Sequence, residues 1–408
     1  MLIVQKYGGT SMGGTERIQN VAKRVASALY SGEASKSNPN RLVVVVSAMS
    51  GVTDEILEFG KFFTPLPNER DLDMALSSGE QISAALLSIA LNAMGFKARA
   101  LNGRQAGILT DSNHTKARIQ HINTSYIFSL LDEGYVVVVT GFQGLSEKGE
   151  ITTLGRGGSD LSAVALAGAL KADSCEIYSD VDGVFTTDPR IESKAKKIDK
   201  ISYDEMLELA SMGAKVLLTR SVELAKKWSV PIYAKSSFSN DIGTLITTEE
   251  NIMEHPIVSG IALDKNQARI SLIGVQDKPG IAAEVFGKLA EATVNVDMIV
   301  QTIGRDSKTN LDFTIPKQEL ERARIALSEF GGRADLIDFD EEVAIVSIVG
   351  VGMKSHSGVA TKAFSALAKD NINIRMISTS EIKISMLIDL KYAELSVRTL
   401  HAAYELDK

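Results

Sequence analysis

Short runs of β-branched and aliphatic residues alternate with longer amphipathic stretches over roughly the first 248 residues of the chain. Each run is only a few residues long, which suits a buried strand. The predicted strands are Leu2–Gln5, Leu42–Ser47, Tyr135–Thr140, Cys175–Ser179 and Pro231–Ala234.

Two stretches between these runs show helical spacing of apolar residues. The first contains Ile18, Val21, Ala22, Val25 and Leu29, and the second contains Ile82, Ala85, Leu86 and Ile89. Alternating β and α elements predict an α/β fold with a mostly parallel sheet covered by helices on both faces. Binding sites in such sheets lie beyond the carboxyl ends of the strands.

The chain after residue 248 repeats itself. Aligning Gly280 with Gly358, and continuing without gaps to Ile299 and Ile377, gives eight identities in twenty positions. We therefore predict a first domain over 1–248, a linker over 249–262 and two related modules over 263–338 and 339–408.

Each repeat reads as strand, turn, helix and strand. In the first these are Ile270–Val275, Asp277–Gly280, Ile281–Ala292 and Val294–Ile299. Turn-to-helix junctions between paired sheets are natural sites for small ligands. A duplicated structural module without a ligand is the alternative.

Composition narrows the function. The formal charge of -7 provides no general basic field for nucleic acid or anionic lipid. A single cysteine, Cys175, excludes an intrachain disulfide and fits a reducing compartment. The apolar runs are too short to span a bilayer, and the N-terminus has no signal-peptide pattern, so we expect a cytoplasmic protein.

Three glycine- or hydroxyl-rich segments follow predicted strands. KYGGTSMGG, residues 6–14, offers Lys6, close backbone approach and hydroxyls to a triphosphate, although a plain turn with a solvated lysine is the alternative. SAMSGVTDE, residues 47–55, offers hydroxyls or simply a helix cap. TLGRGGSDLSAVALA, residues 153–167, holds an arginine suited to bidentate capture of a carboxylate or phosphate.

Individual carboxylates in these segments have two interpretations. Asp160, expected at a helix start, orients Lys6 and Arg156 or acts as an N-cap. SSGEQISAA, residues 77–85, is expected to place Glu80 at the start of a helix, as a dipole partner or as a partner for a substrate ammonium. YSDVDGVFTTDPR, residues 178–190, wraps a ribose and base or is a polar connector.

Other chemistries lack their motifs. The chain has no HExxH, CxxC or GxSxG motif and no GxGxxG in a dinucleotide-binding context. Its five histidines show no ligand spacing, so no protein-held metal is predicted. Any metal is expected to be Mg²⁺ carried mainly by nucleotide phosphates.

Four motifs, in this order and at these separations, resemble those of the aspartokinases, members of the amino acid kinase family: KYGGTS, SSGE, TTLGRGGSD and YSDVDGVFTTDPR. KPG and NVD in the first repeat, and GMKSHSG, NINI and STSE in the second, resemble paired ACT domains. The resemblance covers essentially the whole chain. It implies an amino-acid-kinase-like α/β/α sandwich followed by two ferredoxin-like ACT modules of βαββαβ topology.

The resemblance implies transfer of the γ-phosphoryl group of ATP to L-aspartate, giving 4-phospho-L-aspartate on the path to lysine, threonine and methionine. The implied catalytic residues are Lys6, Arg156 and Asp160. The implied aspartate contacts are Ser47, Thr53, Glu80, Arg156, Gly157, Gly158 and Ser159, with Glu80 on the amino group and Arg156 on the α-carboxylate. The implied ATP contacts are Lys6, Gly8, Gly9, Thr10, Ser179, Asp180, Phe185, Thr186, Thr187, Asp188, Pro189, Arg190 and Lys215.

The ACT-like half implies feedback control by lysine, threonine or both. The implied effector contacts are Asp277, Lys278, Pro279, Gly280, Asn295, Val296, Asp297, Gln301, Lys354, Ser355, His356, Ser357, Gly358, Asn373 and Ile374. Ser357 stands where many relatives carry proline, which leaves ligand binding by the second module open. A homodimer or larger assembly is expected, without a fused homoserine dehydrogenase.

Two rival hypotheses remain. One keeps the fold and changes the acceptor to glutamate, acetylglutamate or another small acid. Glu80 distinguishes a free amino acid from an N-acylated acceptor, because an N-acylated substrate has no ammonium to pair with this carboxylate. The other is a non-catalytic amino acid sensor, against which the intact Lys6, Arg156 and Asp160 argue.

Overall fold

A computed structural model describes residues 1–212, 216–252, 256–303 and 307–408. The chain divides into two compact units. Among the described residues, the N-terminal unit comprises 1–184, 197–210 and 216–252. The C-terminal unit comprises 185–196, 211–212 and the residues from 256 onward.

Twelve strands lie in the described part of the chain before residue 253. They are β1 Leu2–Tyr7, β2 Arg41–Val46, β3 Ala98–Leu101, β4 Ile108–Thr110, β5 Ile119–Ile122, β6 Val136–Thr140, β7 Gln143–Ser146, β8 Ile151–Thr153, β9 Ser174–Ser179, β10 Lys200–Ser202, β11 Ile232–Ser236 and β12 Thr244–Thr247. Eight form the main sheet in the order β10-β12-β11-β9-β1-β2-β6-β3, parallel except between β11 and β12. The other four form a small sheet in the order β5-β4-β7-β8.

The helices of this part are α1 Thr15–Ala28, α2 Val52–Phe63, α3 Glu69–Ala93, α4 Ser125–Asp132, α5 Gly158–Leu170, α6 Tyr203–Ser211 and α7 Thr219–Trp228. Helices α1 and α3 pack on one face of the sheet around Val44 and Val46, while α5 contacts β1, β2 and β9. Residues 43–46 are completely buried, as expected for a central parallel strand covered on both sides. The predicted α/β/α sandwich is confirmed.

Helix α3 is longer than the sequence pattern suggests. The expected start near Glu80 is wrong, because the helix begins at Glu69, where the Asn68 side chain accepts hydrogen bonds from the first-turn amides. Ser77 and Ser78 do not break it, because their hydroxyls donate back to the carbonyls of Met74 and Ala75.

The buried face of α3 also differs from its most obvious apolar stripe. Ile82 and Ile89 are 50% and 64% exposed, and the helix instead buries Leu76, Leu87 and Leu91. Helix α3 is the one described helix long and apolar enough to cross a membrane, yet half of its most apolar window is buried inside the protein. It is therefore weak evidence for a span.

The C-terminal unit contains one six-stranded antiparallel sheet in the order β14-β15-β13-β16-β18-β17. Its strands are β13 Gly260–Gln276, β14 Ile299–Ile303, β15 Lys308–Pro316, β16 Leu336–Val349, β17 Ile374–Thr379 and β18 Lys383–Asp389. Its helices are α8 Ile281–Glu291, α9 Leu320–Leu327, α10 Val359–Lys369 and α11 Ala393–Ala403. The order of the elements repeats, as the internal identities predict.

Strands β13 and β16 interlock the two repeats. Residues 260–264 of β13 pair with 345–349 of the second repeat, whereas Arg269–Ile273 pair with Leu336–Asp340. Each long strand thus completes the sheet of the other repeat. Residues 260–262, which the sequence assigns to a linker, are strand residues.

One strand of the first repeat begins later than predicted. The sequence suggests Val294–Ile299, and β14 begins at Ile299. The Asn295 amide donates instead to the Glu319 carboxylate at 2.7 Å, which takes the chain out of a regular ladder. The segment joins β15 through the Asp297 amide and the Thr314 carbonyl.

Candidate active site

A cavity of about 690 Å³ opens in the N-terminal unit at the carboxyl ends of β1, β2 and β6. Helix α5 begins at its wall, α2 begins beside it, and α3 passes along it. Of the residues implied for aspartate binding and catalysis, the following line it: Lys6, Ser47, Thr53, Glu80, Arg156, Gly157, Gly158, Ser159 and Asp160. The sequence spreads these residues over 155 positions, and the fold brings them to one cavity.

Lys6 lies near the end of β1 and is almost buried. Its Nζ lies 2.6 Å from Oδ1 of Asp160, in the first turn of α5. Gly157 is the N-cap of this helix, so the N-cap interpretation of Asp160 is wrong. No ion pair joins Asp160 to Arg156 among the described residues, so Asp160 orients the lysine alone.

The KYGGTS turn has the close backbone packing that its glycines suggest. The Gly8 amide donates to the Tyr178 carbonyl at 3.1 Å, next to Ser179. A Cβ on Gly9 would lie 3.0 Å from the Ala48 carbonyl oxygen, so this glycine allows the loops after β1 and β2 to touch. Thr10 follows, partly exposed. These loops form the wall beside Lys6.

Glu80 is a buried carboxylate in the middle of α3, only 3% exposed. One oxygen accepts a hydrogen bond from the Ala48 amide at 3.0 Å, and Oε2 has no hydrogen-bond partner among the described residues. Burial raises the pKa of Glu80 to about 7, although the Ala48 amide opposes the rise. Such a group gains from a cationic partner in the cavity.

Gly79 explains how α3 comes close enough for this contact. A Cβ there would lie 2.7 Å from the Ala48 side chain. The glycine in SSGE therefore serves close packing of the helix on the loop after β2, rather than a turn.

Arg156 occupies the turn between Gly155 and Gly157, both of which have positive φ. Its side chain is exposed and makes no hydrogen bond or ion pair to the described residues. An arginine held in a glycine turn at a cavity, with its donors free, is suited to a carboxylate or phosphate ligand.

Ser47 and Thr53 line the same cavity from the loop after β2 and the first turn of α2. The alternative role of Thr53 as a helix cap is wrong, because α2 begins at Val52 with Gly51 as its N-cap. Both hydroxyls stay available to a ligand by position.

The residues implied for ATP binding divide between the two units. Lys6, Gly8, Gly9, Thr10, Ser179 and Asp180 lie in the N-terminal unit, and Phe185–Arg190 lie in the C-terminal unit. Lys215 is outside the described residues. The ATP contacts stay a prediction.

Thr186 has a structural role within the C-terminal unit. Its hydroxyl lies 2.9 Å from Nε2 of His401 and accepts a hydrogen bond from the Lys196 amide. Burial lowers the pKa of His401, which favours the neutral imidazole beside this hydroxyl. Asp188 is paired with Arg190, whose side-chain hydrogen bond lowers the carboxyl pKa.

Several cavity residues escaped sequence reasoning, including Thr115, Phe142, Thr153 and Lys61. The position of Phe142, two residues after the predicted strand that ends at Thr140, is a sequence signal for this edge of the sheet. Thr115 and Phe142 both have positive φ, a rare conformation for residues other than glycine that often marks a functional loop.

The two repeats contain matching turns at the implied effector positions. Gly280 and Gly358 are the N-caps of α8 and α10, with φ of 98° and 88°. A Cβ at either position would meet no atom within 4 Å, so both turns are open. The turn forms with Ser357 in place of proline, and ligand binding by the second module stays a prediction.

The remaining effector positions lie outside these turns, on the segments that follow α8 and α10. In the first repeat, Asp297 accepts a hydrogen bond from Gln267 at 2.7 Å. Burial raises the pKa of Asp297, and the carboxylates of Asp264 and Glu319 add to the rise. The side chain of Ser355 in the second repeat lies outside the described residues. Effector binding stays a prediction.

Comparison with known proteins supplies the family. The model of the amino acid kinase family matches residues 1–235, and that of the ACT domain matches residues 270–329 and 346–404. An aspartokinase of Helicobacter pylori strain J99 is 66% identical over 412 aligned positions, covering both chains completely.

Solved structures show the same relationship. Escherichia coli aspartokinase III in complex with aspartate and ADP, in the R-state, has a TM-score of 0.81 at 27% identity and covers 99% of each chain. The same enzyme in complex with lysine and aspartate, in the T-state, has a TM-score of 0.76, covering 98% of this chain and 99% of that one. Two ACT modules, a kinase sheet and a full-length relative at this identity have one explanation: the chain belongs to the amino acid kinase family and, within it, to the aspartokinases.

Proposed function

We propose that the cavity binds L-aspartate between Glu80 and Arg156, with the side-chain carboxylate directed toward Lys6. The observation that supports this most directly is the buried Glu80 carboxylate, whose Oε2 has no partner among the described residues. A substrate ammonium supplies the missing partner and offsets the cost of burying the charge. Arg156, exposed in its glycine turn, takes the α-carboxylate.

Phosphoryl transfer to aspartate needs no general base, because the attacking carboxylate is already ionised at neutral pH. The chain's task is to position ATP and aspartate in line and to neutralise charge on the phosphoryl group. Lys6, held by Asp160 at the start of α5, places an ammonium at that point. The N-terminus of α5 adds its own positive dipole.

Mg²⁺ fits this arrangement as an ion that is bound mainly through the phosphates of ATP. No group of three or more His, Cys, Asp or Glu side chains is arranged for a metal within the described ranges. Asp160 is the carboxylate beside Lys6 that would face such an ion. Bound to ATP, Mg²⁺ supplies charge neutralisation on the phosphates.

The C-terminal unit is proposed to bind lysine, threonine or both, and so to control a cytoplasmic enzyme at the start of the pathway to lysine, threonine and methionine. Two features support this. The turns at Gly280 and Gly358 are open. The Asp297 carboxyl is partly buried near other carboxylates, which raises its pKa, so its ionised form would be stabilised by a cationic ligand. The E. coli enzyme, similar along its whole length, has been solved with lysine. Paired ACT modules usually associate across chains, so a homodimer or larger assembly is part of the proposal.

A panel of acceptors tests the substrate. ATP consumption is measured with L-aspartate, L-glutamate and N-acetyl-L-aspartate, and then with lysine, threonine or both added to the L-aspartate reaction. We expect turnover with L-aspartate and loss of it with the N-acetyl compound, which has no ammonium for Glu80. Equal rates with both compounds would refute the assignment of Glu80.

A pair of variants separates this role from a general effect of charge. Glu80→Gln should raise the aspartate KM strongly, whereas Glu58→Gln, an exposed glutamate of α2 outside the cavity lining, should behave as wild type. Unchanged aspartate KM in Glu80→Gln would contradict the proposal.

A further inference from the structure

Asp73 is a completely buried carboxylate in α3 that does not line the cavity. Its oxygens accept hydrogen bonds from the Thr115 amide at 3.0 and 3.1 Å and from the Thr153 hydroxyl. The Nδ1 atom of His114 lies 2.8 Å away. A buried carboxylate so fully engaged fixes the groups around it, because releasing any of them leaves a buried polar atom unpaired.

The groups that Asp73 holds lead directly to Arg156. Thr153 ends β8, three positions before the arginine. The Ala117 amide donates to the Thr153 carbonyl at 2.9 Å. The Thr115 carbonyl packs against Gly155, where a Cβ would lie 3.2 Å away. The loop over residues 114–117 therefore supports the backbone of 153–155 from the side.

Arg220, in α7, holds the same two loops from another direction. Its guanidinium donates to the Leu154 carbonyl at 3.0 Å and to the Ala117 carbonyl at 3.4 Å. Gly157, just after Arg156, packs closely on Leu218, which precedes α7. Arg156 is thus flanked by backbone that two charged side chains fix, while its own side chain stays exposed.

We propose that Asp73 and Arg220 are positioning residues that set the orientation of Arg156 toward the α-carboxylate of the amino acid substrate. Neither lines the cavity, so both act through the loops and not on the substrate. The inference rests on the proposed role of Arg156 and goes beyond it, because it assigns substrate affinity to a carboxylate and a guanidinium outside the site.

The test separates the KM for aspartate from the other kinetic constants. Asp73→Asn should raise the aspartate KM about tenfold, because a misplaced guanidinium loses its paired hydrogen bonds, with kcat and the ATP KM changed less than about twofold. Asp71→Asn is the matched control, being the same change on the exposed side of the same helix. A fall in kcat and a rise in both KM values together would overturn the proposal in favour of a general structural role.

Thr153 provides a milder variant in case Asp73→Asn does not fold. Thr153→Val keeps the shape of the side chain and removes only its hydrogen bond to Asp73, and Thr153→Ser restores the hydroxyl. We expect the aspartate KM to rise in the valine variant and to return toward wild type in the serine variant. Equal KM values in the two variants would overturn the proposal.

A double-mutant cycle distinguishes failure of this inference from failure of the proposed function. If Arg156→Ala leaves the aspartate KM unchanged, the role of Arg156 itself is wrong. If Arg156→Ala raises the KM and Asp73→Asn raises it further by its full factor, Asp73 does not act through Arg156. The proposal requires that the effects of Asp73→Asn and Arg220→Met on the aspartate KM largely vanish in the Arg156→Ala background.

Discussion

The Nζ atom of Lys6 lies 2.6 Å from Oδ1 of Asp160, and this ion pair joins the end of β1 to the first turn of α5. Both side chains are nearly buried, at 11% and 12% exposure, yet both border the cavity. The carboxylate holds the ammonium at the edge of the cavity, where a phosphate group could contact it. A phosphate group that binds here would contact the Lys6 ammonium, which Asp160 already holds in position.

Lys6→Ala should therefore lower kcat by about 10²- to 10³-fold, the usual effect of removing a preorganised charge from a transition state. The aspartate KM should change little, because Glu80 and Arg156 remain. Steady-state kinetics on the purified protein check this. Lys23→Ala, an exposed lysine of α1, is the control. Near wild-type turnover in folded Lys6→Ala would refute the assignment.

Arg156→Ala should have the opposite kinetic signature. Its guanidinium is proposed to hold the α-carboxylate in the ground state and transition state alike, so its loss should raise the aspartate KM by about 10- to 100-fold and leave kcat similar. Arg156→Lys should recover part of the affinity, since a lysine keeps the charge and loses the paired geometry. A variant with unchanged KM and reduced kcat would place Arg156 on the phosphoryl group instead.

Glu80 predicts a specific pH dependence. Burial raises the pKa of Glu80 to about 7, and only the ionised form holds an ammonium. The kcat/KM for aspartate should therefore rise with pH and level off above about pH 7, since this constant reports the free enzyme. Glu80→Gln should lack that step. A wild-type profile that is flat between about pH 5.5 and 8 would contradict the prediction.

The raised pKa of Glu80 also makes the free energy of unfolding depend on pH. A carboxyl group whose folded pKa exceeds its unfolded value destabilises the folded state as pH rises from about 4.5 to about 7, because the unfolded chain ionises first. Glu80→Gln should then be more stable than wild type above pH 7, by at most about 3 kcal/mol, as a shift of this size allows. Chemical denaturation without ligands, at pH 5 and pH 8, measures the difference.

The sequence predicts the site residues that lie in local motifs better than those whose contacts are with residues far away in the sequence. Lys6 and Arg156 both lie in recognisable glycine-rich segments, and the parallel-sheet rule correctly directs attention to the carboxyl end of β1, where Lys6 lies. Asp73 has no local signal, because its partners Thr115 and Thr153 are brought to it by tertiary structure. The sequence pattern places Glu80 at a helix start and not in mid-helix for the same reason, because the close contact of Gly79 with Ala48 is a tertiary contact.

The regulatory half shows a similar limit. Internal identities are enough to predict two modules, and both modules appear in one sheet. The exchange of strand segments between them could not be read from the repeat, because β13 is a single continuous run of 17 residues serving both. The strands that pair with β13 determine which part of it belongs to each repeat, and its own composition does not.

Asp297 should contribute to inhibition through the first repeat. Its pKa is raised by burial and by the nearby Asp264 and Glu319, so an effector ammonium relieves repulsion there. Asp297→Asn should raise the concentration of lysine or threonine that gives half-inhibition by about tenfold, with kcat in the absence of effector unchanged. Asp338→Asn, an exposed aspartate of β16, is the control. Unaltered inhibition in Asp297→Asn would exclude this residue from the effector site.

Two helical glycines should respond to alanine with opposite signs. Alanine is favoured over glycine in a helix interior by about 1 kcal/mol. At Gly287 in α8 nothing lies within 4 Å of the added Cβ, so Gly287→Ala should stabilise the protein by about 0.5–1 kcal/mol. At Gly79 the Cβ would lie 2.7 Å from the Ala48 side chain, an overlap whose relief costs about 1–3 kcal/mol and outweighs the helical gain.

Gly79→Ala should also weaken aspartate binding, because moving α3 away from Ala48 lengthens the hydrogen bond between the Ala48 amide and Glu80. Thermal unfolding and the aspartate KM, measured on both variants, give the comparison. Equal melting temperatures for Gly79→Ala and Gly287→Ala would show that α3 can shift without cost, and the close contact would then have no role in holding Glu80.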